Sequence, residues 1–199
     1  MAIKSSLRNM VVVLTLVCLG ASAAVAVVYA VTKDPIAAAV ADKTNKAIEE
    51  VVPSFDNNPS EETMMVVADL QNPAETNKVY VARKGGEIVG YAIESTTKKG
   101  FGGPFTIMVG FTPDGKVYNT SVLSHSETPG LGAKITDKGS HFITQWKDKN
   151  LTDGSVNLTV KKDGGDIDAI TASTISSRAF CNAMEIAANV FNNISTEKH

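Results

Sequence analysis

Residues 168–177 read DAITASTISS, which places four hydroxyl side chains, Thr171, Ser173, Thr174 and Ser176, within six positions. The local pattern reads as a short strand ending at Ile170, a run of small hydroxylated residues, then a helix. Hydroxyls at that junction sit beside unpaired backbone N–H groups and the positive end of the helix dipole. Such a place suits an anion, a phosphate above all. An ordinary helix cap, with Thr174 or Ser176 accepting one N–H, uses the same residues without any ligand. A second stretch, residues 126–133 (SETPGLGA), is a glycine-containing loop. Gly130 and Gly132 would let its backbone approach a flat ligand closely. His125, His141 and His199 show neither metal-ligand spacing nor a Ser–His–Asp arrangement, so no residue is assigned a catalytic or metal-binding role.

The elements that must position these residues follow from periodicity. Residues 78–83 (KVYVAR) and 87–94 (EIVGYAIE) flank Lys84-Gly85-Gly86, a hairpin signature. Residues 105–111 and 116–123 flank Thr112-Pro113-Asp114-Gly115, a second hairpin. Residues 137–147 suit a helix with Phe142, Ile143 and Trp146 on its inner face. Residues 156–161 and 167–170 suit short strands. From Ser176 to Ile194, apolar residues recur at Ala179, Phe180, Ala183, Ile186, Ala187, Val190, Phe191 and Ile194, which is helical spacing. Two hairpins ahead of the helices imply an α+β domain built on an antiparallel sheet with flanking helices.

Ahead of this domain, residues 9–31 carry no charge, enough to cross a bilayer core of roughly 30 Å as a helix. Lys4 and Arg8 precede the span, Tyr29 stands near its far end, and no acid occurs in the first 31 positions. This predicts a retained single-pass anchor in the cell inner (cytoplasmic) membrane, with a cytoplasmic N-terminus and an extracytoplasmic domain. Ala21-Ser22-Ala23 resembles a signal cleavage site, but the apolar run continues to Val31, which favours the anchor. Residues 34–52 read as a helix nearly continuous with the anchor, Pro35 in its first turn and Pro53 stopping it. The expected divisions are a cytoplasmic tip (1–8), a transmembrane helix (9–31), a linking helix (32–53) and the extracytoplasmic domain (54–199).

Composition narrows the function. The 199 residues hold 19 Lys+Arg and 21 Asp+Glu, a net charge of −2 that excludes nucleic-acid binding through bulk charge. A mean hydropathy near zero averages an uncharged span with a polar domain. Past residue 31 the charge is −4, from 17 basic and 21 acidic residues. Cys18 and Cys181 fall in different environments and cannot form a disulfide scaffold, a four-cysteine zinc site or an iron–sulfur set.

The 168–177 run resembles the flavinylation motif of the FMN-binding domains of Rnf-type and Nqr-type respiratory complexes. Asp168, Thr171, Thr174, Ser176 and Ser177 match, and Ile175 takes the variable place. Ala172 replaces the usual glycine and Ser173 the usual alanine. A positive φ of the glycine type at this position would strain Ala172. Glu127-Thr128-Pro129-Gly130-Leu131-Gly132 resembles the ETPGLG loop of the same domains, and Gly100-Phe101-Gly102-Gly103-Pro104 their GYGGP turn. The chain is most similar to the G subunit of Rnf complexes.

The resemblance implies FMN joined through its phosphate to Thr174 by a flavin transferase. Asp168, Thr171, Ala172 and Ser173 would form the transferase recognition segment. Ser173, Ser176 and Ser177 would bind the phosphate together with backbone N–H groups, and Thr171 and Ile175 would also belong to the FMN-binding residues. Glu127, Thr128, Gly130, Leu131 and Gly132 would border the ring, with Lys134 the candidate cation near ring nitrogen N1. The implied activity is electron relay within an ion-translocating ferredoxin:NAD⁺ oxidoreductase, alongside other membrane subunits. Two alternatives stay open: an Nqr-type C subunit of a Na⁺-translocating NADH:quinone reductase, and an exported binding or assembly module with no redox centre.

Overall fold

A computed structural model describes residues 6–69 and 75–196. Lys4 of the expected cytoplasmic tip, and His199, lie outside the described residues. The chain forms two compact units, divided between Lys43 and Thr44.

Helix α1, Leu7–Val51, is a single 45-residue element with Pro35 inside it. It is long and apolar enough to cross a membrane. Residues 34–51 thus continue the anchor as expected and the helix ends ahead of Pro53, but Pro35 lies inside the helix and opens no first turn. The missing proline N–H costs one helical bond without ending the element.

From Thr44 onward the chain builds an α+β fold. Five strands, β1 (Thr63–Val67), β2 (Thr76–Lys84), β3 (Glu87–Thr97), β4 (Phe105–Phe111) and β5 (Val117–Ser124), form one antiparallel sheet in chain order. Gly85 and Gly86 both take positive φ, closing the β2–β3 hairpin with Lys84 opposite Glu87. Alternation sends Val79, Val81, Ile93, Ile107 and Val109 to one face of the sheet. Tyr80, Ala82, Ala92 and Met108 point to the other. The last turns of α1 cover this second face with Ala47, Ile48 and Val51. The first face is covered by α2 (Thr174–Thr196), whose Ala179, Phe180, Ala183, Ala187, Val190, Phe191 and Ile194 are buried. Ser95 Oγ donates to Ala183 O at 2.7 Å and Thr97 Oγ1 to Asn182 Oδ1 at 3.0 Å, which sets α2 on the sheet.

Three local expectations change. Strand β1 has no alternating pattern, and of its residues only Val66 is buried, so periodicity missed it. The helix expected over 137–147 shrinks to one turn, His141–Thr144, although Phe142, Ile143 and Trp146 are buried as expected. The strands expected at 156–161 and 167–170 are absent. A single parallel bridge joins Val160 to Ile167, with backbone bonds from Lys161 N–H to Ile167 O and from Ile167 N–H to Thr159 O, and at Asp168 a side chain takes over the pairing. Gln145 Nε2 donates to Asp168 O (3.0 Å), while the Asp168 N–H donates to Gln145 Oε1 (2.9 Å).

Candidate functional site

The first turn of α2 leaves donors and acceptors unused. The Ser177 N–H bonds Ser173 O at 3.0 Å and the Ser173 N–H bonds Ile170 O at 3.0 Å. Among the described residues, no backbone acceptor meets the N–H groups of Thr174, Ile175 and Ser176. Ser173, 7% exposed, has a buried Oγ with no hydrogen-bond partner, so it does not cap the turn. Three free N–H groups and an unpaired buried hydroxyl at a helix start form an anion site.

The hydroxyls divide sharply. Ser177 Oγ is fully buried, accepts from the Ile170 N–H at 2.9 Å and donates to Ser173 O at 2.9 Å. Ser176 Oγ, also buried, donates to Glu127 Oε2 at 2.6 Å. Thr171 is exposed and stands off the wall of the cleft described next. Thr174 is half-buried and faces that cleft.

The cleft has a volume of ≈ 330 Å³ and is lined by Phe101, Glu127, Thr128, Leu131, Gly132 and residues 172–176. Three segments distant in sequence thereby meet: the 100–103 turn, the 126–132 loop and the start of α2. Glu127 is the tie between them. Its buried carboxyl accepts the Gly102 N–H on Oε1 (3.2 Å) as well as the Ser176 hydroxyl on Oε2. The approach is close enough to need glycine. A Cβ on Gly132 would lie 2.3 Å from Glu127 Oε2 and 2.5 Å from Ser176 Oγ. The space at Gly132 thus serves packing of the loop against α2.

Ala172 has φ +61°, a left-handed conformation strained for alanine and natural for glycine. The position meets the condition set by the motif.

Other expected residues lie off the cleft wall. Gly130 is an exposed turn residue. Lys134 sits in a short 3₁₀ turn (Gly132–Thr136) with its side chain exposed, and is not brought to the cleft. Glu127 is the ionisable group that lines it. Asp168 is half-exposed, with Lys161 Nζ at 2.8 Å and His141 Nε2 at 3.1 Å. Lys161 first, then His141, hold its carboxyl below the usual carboxylate range. In the sequence Phe101 is only part of a glycine turn; packing of that turn on Glu127 leaves its ring exposed where it lines the cleft.

Comparisons with known proteins converge on one group. Residues 100–189 match the family described as FMN-binding domain, and residues 1–51 match RnfG N-terminal region. A Yersinia pestis protein, named as the G subunit of an ion-translocating oxidoreductase complex, is 34% identical over 186 residues, 92% of this chain and 89% of that protein. Proteins of the same name from Haemophilus influenzae (strain PittEE; 34% identity, 83% of this chain and 81% of the relative) and Photorhabdus laumondii (36% identity, 82% and 79%) are similar.

Proposed function

The chain belongs to the family formed by the G subunits of ion-translocating oxidoreductase complexes, and on that premise we propose that it carries FMN on Thr174 and relays electrons within a Rnf-type complex. One observation carries this reading: Thr174 is half-exposed and lines a cleft at a helix start where the N–H groups of residues 174–176 meet no backbone acceptor and the buried Ser173 Oγ beside them has no partner. Ser176 and Ser177 are buried and already bonded, so neither competes as the attachment point.

In this reading a flavin transferase, recognising Asp168, Thr171, Ala172 and Ser173, supplies activated FMN. The Thr174 hydroxyl gives up its proton, and its oxygen forms the new bond to phosphorus as the donor's leaving group departs. The N–H groups of residues 174–176 and Ser173 Oγ hold the remaining phosphate oxygens. Thr128 and Leu131 border the ring. When bound, FMN supplies stepwise one-electron transfer, and the protein fixes its position. The complex couples electron flow between ferredoxin and NAD⁺ to ion translocation. We assign residues 1–8 to a cytoplasmic tip, 9–31 to a span of the inner membrane, 32–53 to the linking helix and 54–199 to an extracytoplasmic FMN-binding domain. The last turns of the linking helix are built into the sheet's second face.

The test is co-expression of the full chain with a flavin transferase, followed by intact mass and in-gel flavin fluorescence. The expected result is an added FMN-phosphoryl mass that disappears in Thr174→Val. An unmodified chain under those conditions overturns the reading.

A further inference from the structure

Phe101 is the most exposed large apolar side chain among the described residues from Thr44 onward, at 67%. It is not held in water by a loose loop. The Gly102 N–H bonds Glu127 Oε1, and a Cβ on Gly102 would lie 1.9 Å from Ser126 O, so the turn is clamped on the 126–127 backbone. The other oxygen of the same carboxyl takes the Ser176 hydroxyl. One side chain therefore fixes the Phe101 turn relative to the first turn of α2, two residues from Thr174. Leu131 and Ile175, 44% and 48% exposed, complete an apolar rim to the cleft. A rigidly presented aromatic ring beside an apolar-rimmed cleft suits a flat aromatic ligand.

We infer that Phe101 lies against the face of the flavin ring carried by Thr174, and that Glu127 is the positioning residue that keeps Phe101 in register with that attachment point. The inference rests on the reading that Thr174 carries FMN. A ring tethered only through its phosphate and sugar-alcohol chain rotates freely. Contact with Phe101 stops that rotation and fixes the orientation from which electrons leave.

The experiment uses the full chain co-expressed with a flavin transferase and purified in detergent. Flavin content is read from the mass of the Thr174 peptide, and every optical signal is expressed per flavin. The wild type shows high flavin fluorescence anisotropy. Phe101→Ala lowers it at least twofold, and Phe101→Tyr restores it. Phe101→Trp, which puts an electron-rich ring against the flavin, quenches emission severalfold, and emission returns on denaturation. Glu127→Ala lowers anisotropy as Phe101→Ala does. Glu127→Gln restores it, because its amide oxygen still accepts from Gly102 and its amide nitrogen donates to Ser176. A merely structural role for Glu127 would change the unfolding midpoint and leave the anisotropy of the folded fraction untouched, which would overturn its assignment. Unchanged anisotropy in Phe101→Ala, or unquenched emission in Phe101→Trp, overturns the Phe101 contact while the flavin mass on Thr174 stands. A wild-type peptide without flavin mass overturns the reading beneath it, and the inference with it.

Discussion

The five strands between Thr63 and Ser124 satisfy their backbone by pairing with one another, whereas between His125 and Ser173 the chain relies on turns and single helical bonds, with side chains filling in where these run out. In the second stretch Asp137 accepts from the Gly139 N–H, Asn150 from Thr152 and Asp166 from Asn157. Gln145 pairs with Asp168 as a neighbouring strand would, and Ser177 holds the Ile170 N–H. Polar side chains in such a stretch are first of all substitutes for a ladder. What teaches most is the remainder: at the end of this stretch, Ser173 Oγ and the N–H groups of residues 174–176 have no such partner. A buried hydroxyl left over beside free N–H groups at a helix start suits an anionic ligand.

The largest effect is expected in the sheet. Gly110 lies where a Cβ would fall 1.5 Å from Val51 O, a backbone atom that cannot swing aside. Gly110→Ala should destabilise the domain by about 3 kcal/mol, at the upper end of overpacking costs. Denaturant unfolding of the full chain in detergent checks it, and an unchanged midpoint would show that α1 does not seat on the sheet. Next, Ser177→Ala removes a buried hydroxyl serving two backbone groups. The expected loss is roughly 2 kcal/mol, since the Ile170 N–H is left buried and unpaired. A loss no larger than that of an exposed Ser→Ala change would remove Ser177 from the substitutes for the ladder.

Ala172→Gly works in the opposite direction. Relief of the left-handed alanine, roughly 1–2 kcal/mol, outweighs the added freedom of glycine in the unfolded chain, roughly 0.4–1 kcal/mol. A net gain of about 0.5–1 kcal/mol is expected, together with a larger flavinylated fraction by intact mass. The smallest effect is that of Asp168. Its folded carboxyl titrates below its ordinary 3.8, so its contribution is complete above that value and fades as pH falls through the lower folded one. Asp168→Asn should flatten only this acid limb of stability, slightly because the pair is exposed to solvent, and leave the neutral-pH midpoint nearly unchanged.

The same contrast decides what could be read from sequence. Both hairpins were legible because alternation with period two and glycine turns state their register locally. The buried face of α2 was legible because its repeat runs over many turns. Strand β1, an edge with one buried residue, carries no such repeat. The expected strands at 156–161 and 167–170 reduce to one bridge and a few backbone bonds around Val160 and Ile167, because Gln145 takes both backbone groups of Asp168 from elsewhere in the chain. For the candidate site, the motif pointed to the individual residues, Thr174 and Glu127 among them. What no local pattern states is that one carboxyl links the 102 turn to Ser176, that Phe101 stands exposed beside it, or that Lys134 turns away.

The chain-order meander has a consequence for the timing of assembly. Every pairing in the sheet joins neighbours in the chain, so loop-closure costs are small and the strands can zip in succession. The cleft is the opposite case: it exists only when residue 176 reaches residue 127, a contact that waits for the C-terminal helix to dock. A chain still short of its native state lacks the pocket that the proposed attachment point lines. Attachment at Thr174 would then act as a stamp of completed folding, granted only to molecules whose last helix has come home.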